Sequence, residues 1–144
     1  MTWKPQSGEG YGALGVIAVD TNVVVRLLAR DDETQYQASR ALFETQEIFI
    51  PDTVVLELEW VLRYAYDFSP AEIGAAFKRL FGLKNVHLDH PQRVAETISW
   101  HETGLDFADA FHLAQSQQCS TFKTFDERLI KRAPSQSQCP VEKP

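Results

Sequence analysis

Two aspartates directly follow segments that predict strands. Asp20 follows residues 16–19, which are β-branched at three of four positions, and Asp126 follows residues 121–125. Short β-branched apolar runs favour strands. In parallel α/β sheets, sites form outside the carboxyl ends of the strands. We therefore expect both carboxylates at the functional edge of a sheet.

The helix predicted over residues 52–66 carries two glutamates in different settings. At about 100° per residue, its apolar stripe is formed by Val54, Leu58, Val61, Leu62 and Ala65. Glu57 falls on the border of this stripe. Glu59 falls well away from it and precedes Arg63 by four residues, a spacing that favours an ion pair. The pattern predicts Glu57 near the core and Glu59 in solvent, paired with Arg63 at the surface.

The helix predicted over residues 106–118 begins with two aspartates. Asp106 and Asp109 are three residues apart and are therefore neighbours on the helix surface. Both lie in the first turn, where the helix dipole favours negative charge. Asp109 falls at the edge of the apolar side formed by Phe107, Ala110 and Ala114, so we expect it at the margin of the core.

Carboxylates gathered at the margin of a core need a compensating charge. Like charges repel each other, and burial raises carboxylate pKa values. A hard cation removes both effects, and all-oxygen sites suit Mg²⁺ or Mn²⁺. Such ions activate water and stabilise the charge on a reacting phosphate. Taken singly, each acid also has a structural explanation: Asp20, Asp106 and Asp126 as helix caps, and Glu57 as the partner of an arginine.

The elements that would position these acids alternate along the chain. Strands are predicted at residues 16–19, 47–50, 86–88 and 121–125. Helices are predicted at residues 23–29, 33–45, 52–66, 70–81, 90–101 and 106–118, with a short last helix after Asp126. Strands joined through helices imply a parallel sheet with helices on both faces. The predicted organisation is one domain over residues 16–132, a flexible extension over residues 1–15 and a flexible polar tail over residues 133–144.

Composition is typical of a globular protein without a broad basic surface. The chain has 144 residues, 44% of them hydrophobic, and a formal net charge of −6. This charge argues against holding nucleic acid through a wide positive surface, but not against meeting phosphate locally through metal ions. No apolar run reaches the roughly 18 residues of a membrane span. Two cysteines without a CxxC pair favour a reducing cytoplasm.

Other chemistries lack their motifs in this sequence. The four histidines have no zinc-like spacing with the cysteines, and we expect His112 to be structural and away from the acidic edge of its helix. No serine or cysteine elbow and no Gly-rich phosphate loop is present. Trp60 and Tyr64 lie four residues apart on one helix. They suit either stacking on RNA bases or packing against a partner protein.

Four segments carry the candidate acids in order: residues 19–22 (Val-Asp-Thr-Asn), 56–58 (Leu-Glu-Leu), 106–114 (Asp-Phe-Ala-Asp-Ala-Phe-His-Leu-Ala) and 124–126 (Thr-Phe-Asp). Each falls on the expected strand end or helix. Together they resemble the ordered motifs of PIN domains, most closely those of the VapC-like toxins of type II toxin–antitoxin systems. The resemblance extends from about residue 16 to residue 132.

This resemblance implies a three-layer α/β/α sandwich around a central, mainly parallel sheet, with an acidic pocket that binds Mg²⁺ or Mn²⁺. It implies that the catalytic, metal-binding acids are Asp20, Glu57, Asp109 and Asp126, with Asp106 as a further ligand. Asn22 and Thr124 correspond to polar residues that organise the pocket. The implied activity is hydrolysis of RNA phosphodiester bonds by a metal-dependent endoribonuclease.

The resemblance also implies partners: an RNA substrate, a small cognate antitoxin that silences the toxin, and a second copy in a cytoplasmic homodimer. Cations that could guide the RNA backbone are Arg26, Arg30, Lys123, Arg128, Lys131 and Arg132. Two alternatives stay open. One is a PIN nuclease that acts in RNA processing or on DNA without an antitoxin. The other is a non-catalytic binding module whose acids are caps and ion pairs.

Overall fold

The computed structural model describes residues 15–144, so the predicted extension lies outside the described residues except for Gly15. The described residues form two compact units, one ending at Pro91 and the other formed by Gln92–Pro144. Each unit combines helices with parallel strands. The predicted α/β class with a parallel sheet is therefore confirmed. None of the described helices is both long and apolar enough to cross a membrane.

In the first unit, three short strands form a parallel sheet. They are β1 (Val16–Ala18), β2 (Glu47–Phe49) and β3 (Val86–His87), in the spatial order β1-β2-β3. Ile17 pairs with Ile48, and Ile48 in turn pairs with Val86. Because the three strands run in the same direction, their carboxyl ends lie at one edge of the sheet.

Four helices connect these strands in pairs. The first pair is α1 (Thr21–Ala29) and α2 (Glu33–Thr45), and the second is α3 (Asp52–Ala65) and α4 (Pro70–Phe81). Asp32 caps α2 by accepting a hydrogen bond from the Gln35 amide at 3.0 Å. Ser69 and Glu72 form a reciprocal capping box at the start of α4, which satisfies amides that the helix leaves unpaired.

The core of the first unit is formed by apolar side chains from both the sheet and the helices. Its fully buried members include Ile48, Ile50, Val55, Leu58, Leu62, Ile73, Phe77 and Leu88. On α3 and α4 these residues recur at the three- and four-residue spacings of a helix face that packs on a core. The sheet residues alternate with more exposed neighbours, as β2 shows with buried Ile48 between Glu47 and Phe49.

The second unit carries the remaining elements. They are α5 (Pro91–Glu102), which begins at the boundary residue, then α6 (Phe107–Ala114), β4 (Phe122–Lys123), α7 (Glu127–Arg132) and β5 (Val141–Glu142). The two strands pair in parallel. Its core cluster consists of Trp100, Leu105, Ala110, Leu113, Ala114, Leu129 and Cys139. Side chains of α6 and α7 therefore share one small core.

Residues 133–144, for which composition predicted a flexible tail, differ in the structure. Cys139 is fully buried, and β5 follows it. The amide of Phe122 donates to the Pro140 carbonyl at 2.8 Å, and that of Thr124 donates to the Glu142 carbonyl at 3.1 Å. Composition rich in Ser, Gln and Pro predicted disorder because it gave no sign of the buried Cys139 thiol or of the pairing of β5 with β4.

Candidate metal centre

Asp20 lies just beyond β1 and caps α1. Its backbone is extended, with φ −91° and ψ 178°, and its Oδ1 accepts a hydrogen bond from the Val23 amide at 3.1 Å. The helix-cap role considered from the sequence is therefore present. The side chain nevertheless stays exposed, so the cap leaves the carboxylate accessible to solvent.

Thr21 connects the start of α1 with Glu57 on α3. Its side chain is 5% exposed, and its hydroxyl donates a hydrogen bond to Oε1 of Glu57. A buried hydroxyl needs such a partner, because an unsatisfied one is destabilising. The bond ties the Glu57 carboxylate to the residue that follows Asp20.

The two glutamates of α3 have the opposite exposure to that predicted. Glu59 is 2% exposed, whereas Glu57 is exposed. The prediction was wrong because the buried face of α3 consists of Val55, Leu58, Glu59 and Leu62. This face keeps helical spacing but begins one residue later than the predicted stripe. Glu57 therefore faces solvent without losing its contact with Thr21.

Glu59 is buried together with a compensating cation. Arg63 Nε donates to Oε2 of Glu59 at 2.7 Å, and Nη2 donates to Oε1 at 3.2 Å. The hydrogen-bonded carboxylate raises the pKa of the Arg63 guanidinium. The predicted partner was right, but the predicted surface location was wrong, because the carboxylate side of the pair is 3% exposed. Glu59 is thus a structural acid.

Two aspartates of the second unit cap its helices. An Asp106 carboxylate oxygen accepts from the Asp109 amide at 3.1 Å at the start of α6. Asp126 Oδ1 accepts from the amides of Arg128 and Leu129 at 2.9 and 3.2 Å at the start of α7. Thr124 adds a further constraint, because its hydroxyl accepts from the Asp126 amide at 3.0 Å. Both carboxylates are exposed at fixed helix starts.

Asp109 shows that these carboxylates crowd each other. Burial is the main cause that raises its pKa, and the charges of Asp106 and Asp126 raise it further. The opposing influence comes from His112, one turn along α6. We call Asp106, Asp109 and Asp126 the α6–α7 acid cluster. A divalent cation would relieve this repulsion, and Mg²⁺ and Mn²⁺ prefer such oxygen ligands. Among the described residues, however, the ligand atoms of these three acids do not all lie within 4.8 Å of one another.

The predicted site residues thus fall into two sets. The first unit contains Asp20, Asn22 and Glu57, and the second contains Asp106, Asp109, Thr124 and Asp126. Asn22 is exposed in the first turn of α1. His112 is exposed as well, and its charge lowers the pKa of Asp109, so it lies nearer to the acids than expected; its structural role stays a prediction. Its place three residues after Asp109 puts both side chains on neighbouring helix positions.

A further group of possible ligands was missed by the sequence analysis. Asp52, Asp89 and His90 each offer one ligand atom, and these atoms lie within 4.8 Å of one another, the one such group of three among residues 15–144. Asp52 begins α3, and the other two follow β3. They lie at the same carboxyl edge of the sheet as Asp20. Applying the strand-end rule to β2 and β3 as well as to β1 would have found them.

The cations considered as RNA guides differ in their availability. Arg26 bonds to Asp31 and Tyr66, and Arg30 pairs with Glu33. Lys123 pairs with Glu142 at 2.6 Å. The other three, all exposed on α7, make no ion pair within the described part of the chain: Arg128, Lys131 and Arg132. Their spacing places them on one face of α7.

Comparison with protein families supports this arrangement. A family model described as the PIN domain matches residues 17–134. No curated protein matches the chain at a significant level. PIN domains are a nuclease-type fold, typically dependent on divalent metal ions and acting on nucleic acids. The match spans well over half of the sequence and agrees with the parallel strands and the acids at helix starts described above. This chain therefore belongs to the PIN domain family.

Proposed function

We propose that this protein is a divalent-metal-dependent endoribonuclease that hydrolyses RNA phosphodiester bonds. The observation that carries the proposal is the α6–α7 acid cluster in a PIN chain. Asp106 and Asp109 stand at the start of α6 and Asp126 caps α7, and burial together with the charges of Asp106 and Asp126 raises the pKa of Asp109. A bound cation converts this repulsion into ligation.

The proposed metal ligands are Asp20, Asp109 and Asp126, with Asp106 assisting and Glu57 binding directly or through water. When bound, Mg²⁺ or Mn²⁺ would supply an activated water and offset the negative charge on the reacting phosphate. The chain's own residues hold these carboxylates in place. Thr21 fixes Glu57 by a hydrogen bond, Thr124 fixes the backbone of Asp126, and helix caps orient Asp20 and Asp106.

The substrate and biological role are proposed at a finer level. We favour single-stranded or loop RNA over DNA, and the role of a cytoplasmic, homodimeric toxin silenced by a small antitoxin, because the motif order matches VapC-like toxins. The net charge of −6 means that phosphate contacts must be local. The exposed cations of α7, which begins directly after Asp126, suit such local contacts.

The decisive experiment is cleavage of a panel of single-stranded RNA, structured RNA and DNA with Mn²⁺, Mg²⁺ or EDTA. Parent protein is compared with D20N, D109N and the matched control D32N. Asp20 and Asp32 both cap helices through a carboxylate, and asparagine preserves a cap. We expect RNA cleavage only with metal, lost by roughly a hundredfold or more in D20N and D109N and retained in D32N.

Three results would overturn parts of this proposal. Cleavage that persists in EDTA would show that the activity does not need a divalent metal. An equal loss of cleavage in D32N would show that the substitutions reduce activity by disturbing the fold rather than the metal site. Cleavage of DNA alone would transfer the chain to the alternative of a PIN nuclease acting on DNA. The toxin role has its own test: induced expression should arrest growth for the parent and not for D109N, with rescue by a co-expressed small antitoxin.

A further inference from the structure

Phe125 is the most exposed large hydrophobic side chain in residues 15–144. It is 81% exposed, compared with 63% for Tyr64 and 56% for Trp60. Single exposed apolar residues are common on protein surfaces. The position of Phe125 is what sets it apart, because it stands between Thr124 and Asp126, two residues of the proposed site.

The backbone on both sides of Phe125 is tightly held. The Thr124 amide donates to the Glu142 carbonyl at 3.1 Å, and the Thr124 hydroxyl accepts from the Asp126 amide at 3.0 Å. Asp126 then receives the amides of Arg128 and Leu129. An aromatic ring on such a fixed backbone loses little conformational freedom when it binds a ligand, which favours binding.

The surroundings of Phe125 are those of a nucleic-acid contact. On one side along the chain lies the acid cluster, which would engage phosphate through metal. On the other side lies α7, whose exposed cations Arg128, Lys131 and Arg132 share one face. Aromatic rings beside cationic residues are the combination that proteins use to bind single-stranded nucleic acid.

Other aromatic side chains are less suited to this role. Trp100 is 6% exposed and belongs to the core cluster of the second unit. The Tyr66 hydroxyl donates to Asp31 at 2.7 Å and accepts from Arg26 at 3.1 Å. Trp60 and Tyr64 pack on each other with ring centroids 5.0 Å apart. Among the contacts of the described residues, the Phe125 ring shows no such core packing, hydrogen bond or ring packing.

We propose that the Phe125 ring is the base-stacking platform of the site: it stacks on an unpaired RNA base next to the phosphate that the acid cluster engages. This inference rests on the proposed nuclease function. It assigns to Phe125 a positioning and selectivity role. A paired base is already stacked within its helix, so the platform favours single-stranded or looped RNA over duplex RNA.

The test measures kcat and KM for a short single-stranded RNA with the full-length protein and its variants F125A, F125L and F125Y. Loss of one base stack should lower kcat/KM by about five- to a hundredfold in F125A. F125L, which keeps apolar bulk without a π face, should lose nearly as much, and F125Y should recover most of the activity. Y64A is the matched control for an exposed ring and should behave as the parent.

A second substrate series makes the test specific. RNAs with one abasic position near the cleaved bond should be poor substrates for the parent, and F125A should lose little more on them, because variant and substrate change remove the same contact. The variants should have the same Tm as the parent, because the Phe125 ring is exposed and contributes little to packing.

Each result bears on the proposal. Unchanged kcat/KM in F125A, or equal loss on intact and abasic RNA, would overturn the stacking role while leaving the nuclease intact. Loss shared with Y64A, or a change of oligomeric state in F125A, would assign the ring to general apolar contact or to an interface between copies. If the parent cleaves no RNA with either metal, the nuclease proposal and the stacking role fail together.

Discussion

Two acids of the first unit outside the proposed site, Glu59 and Asp89, face cationic or ionisable partners. Glu59 is 2% exposed and is held by Arg63 through two hydrogen bonds. Asp89 Oδ2 lies 3.3 Å from His90 Nδ1, with both side chains about half exposed at 50% and 46%. The charge of Glu59 is thus moderated by Arg63, and that of Asp89 by water and His90, even though Asp89 and His90 belong to a group with closely spaced ligand atoms.

The α6–α7 acid cluster in the second unit differs in its electrostatics. Asp109 is partly buried, and its neighbours Asp106 and Asp126 carry the same sign of charge. The pKa of Asp109 is raised as a result. If the proposed site is correct, metal binding follows unrelieved repulsion between carboxylates rather than closeness of ligand atoms. The following predictions test this contrast, from the largest expected effect to the smallest.

The largest expected effect is a difference in RNA cleavage between variants of the α6–α7 acid cluster and variants of the group formed by Asp52, Asp89 and His90. D126N should lower RNA cleavage by roughly a hundredfold or more, because it removes one ligand charge from the cluster while asparagine keeps the cap of α7. D89N should stay within about twofold of the parent, as expected for an exposed surface change. Initial rates in Mn²⁺ measure both. A loss in D89N as large as that in D126N would place the metal at the first unit's group and erase the contrast.

The next prediction concerns D109N and the sign of its effect on stability. A carboxyl whose pKa is raised by folding contributes stability at pH below its unfolded-state pKa, and this contribution is lost as pH rises through the folded-state pKa. At neutral pH the ionised Asp109 therefore opposes folding. In EDTA at pH 7, D109N should have a higher Tm than the parent, although it has lost activity.

Added metal should reverse that order. Mn²⁺ at a hundred times its Kd would stabilise the folded parent by about 2.7 kcal/mol, whereas D109N should gain much less. Thermal melts with and without Mn²⁺, repeated at acidic pH where the advantage in EDTA should disappear, provide the measurement. A D109N protein that melts below the parent in EDTA would show that Asp109 stabilises the fold and that its crowding has been misjudged.

Sequence predicted the helices and strands better than it predicted the exposure of the candidate acids. Asp20, Asp106 and Asp126 stand at helix starts because short polar residues there satisfy free amides, a local rule that sequence carries directly. The exposures of Glu57 and Glu59 were reversed because a one-residue rotation of the α3 stripe depends on packing, which periodicity locates only approximately. The crowding of Asp109 by Asp126 depends on tertiary structure and could not be computed from spacing.

The buried ion pair provides the third test, now of stability alone. R63A leaves the Glu59 carboxylate buried without its cation, and we expect a loss of about 1–3 kcal/mol in the free energy of unfolding, moderated because Arg63 is 33% exposed. R30A removes an exposed partner of Glu33 and should leave the free energy of unfolding nearly unchanged, because solvent screens exposed ion pairs. Urea unfolding compares them. Equal losses would mean that Glu59 is solvated and that the sequence prediction was correct after all.

The smallest expected effect tests what maintains the crowding in the second unit. Ala110 and Leu113 of α6, Leu129 of α7 and fully buried Cys139 share one core cluster, so the tail residue helps to hold the two acid-bearing helices together. C139S places a hydroxyl in that core and should lower the free energy of unfolding by about 1–2 kcal/mol. The exposed Cys119 supplies the matched control, because C119S should change the free energy of unfolding by less than about 0.5 kcal/mol.

Since looser packing would separate α6 from α7, C139S should also reduce the Tm gain of D109N in EDTA. If the two serine variants unfold alike, residues 133–144 behave as the flexible tail that composition predicted, and the acids of α6 and α7 are held together without them.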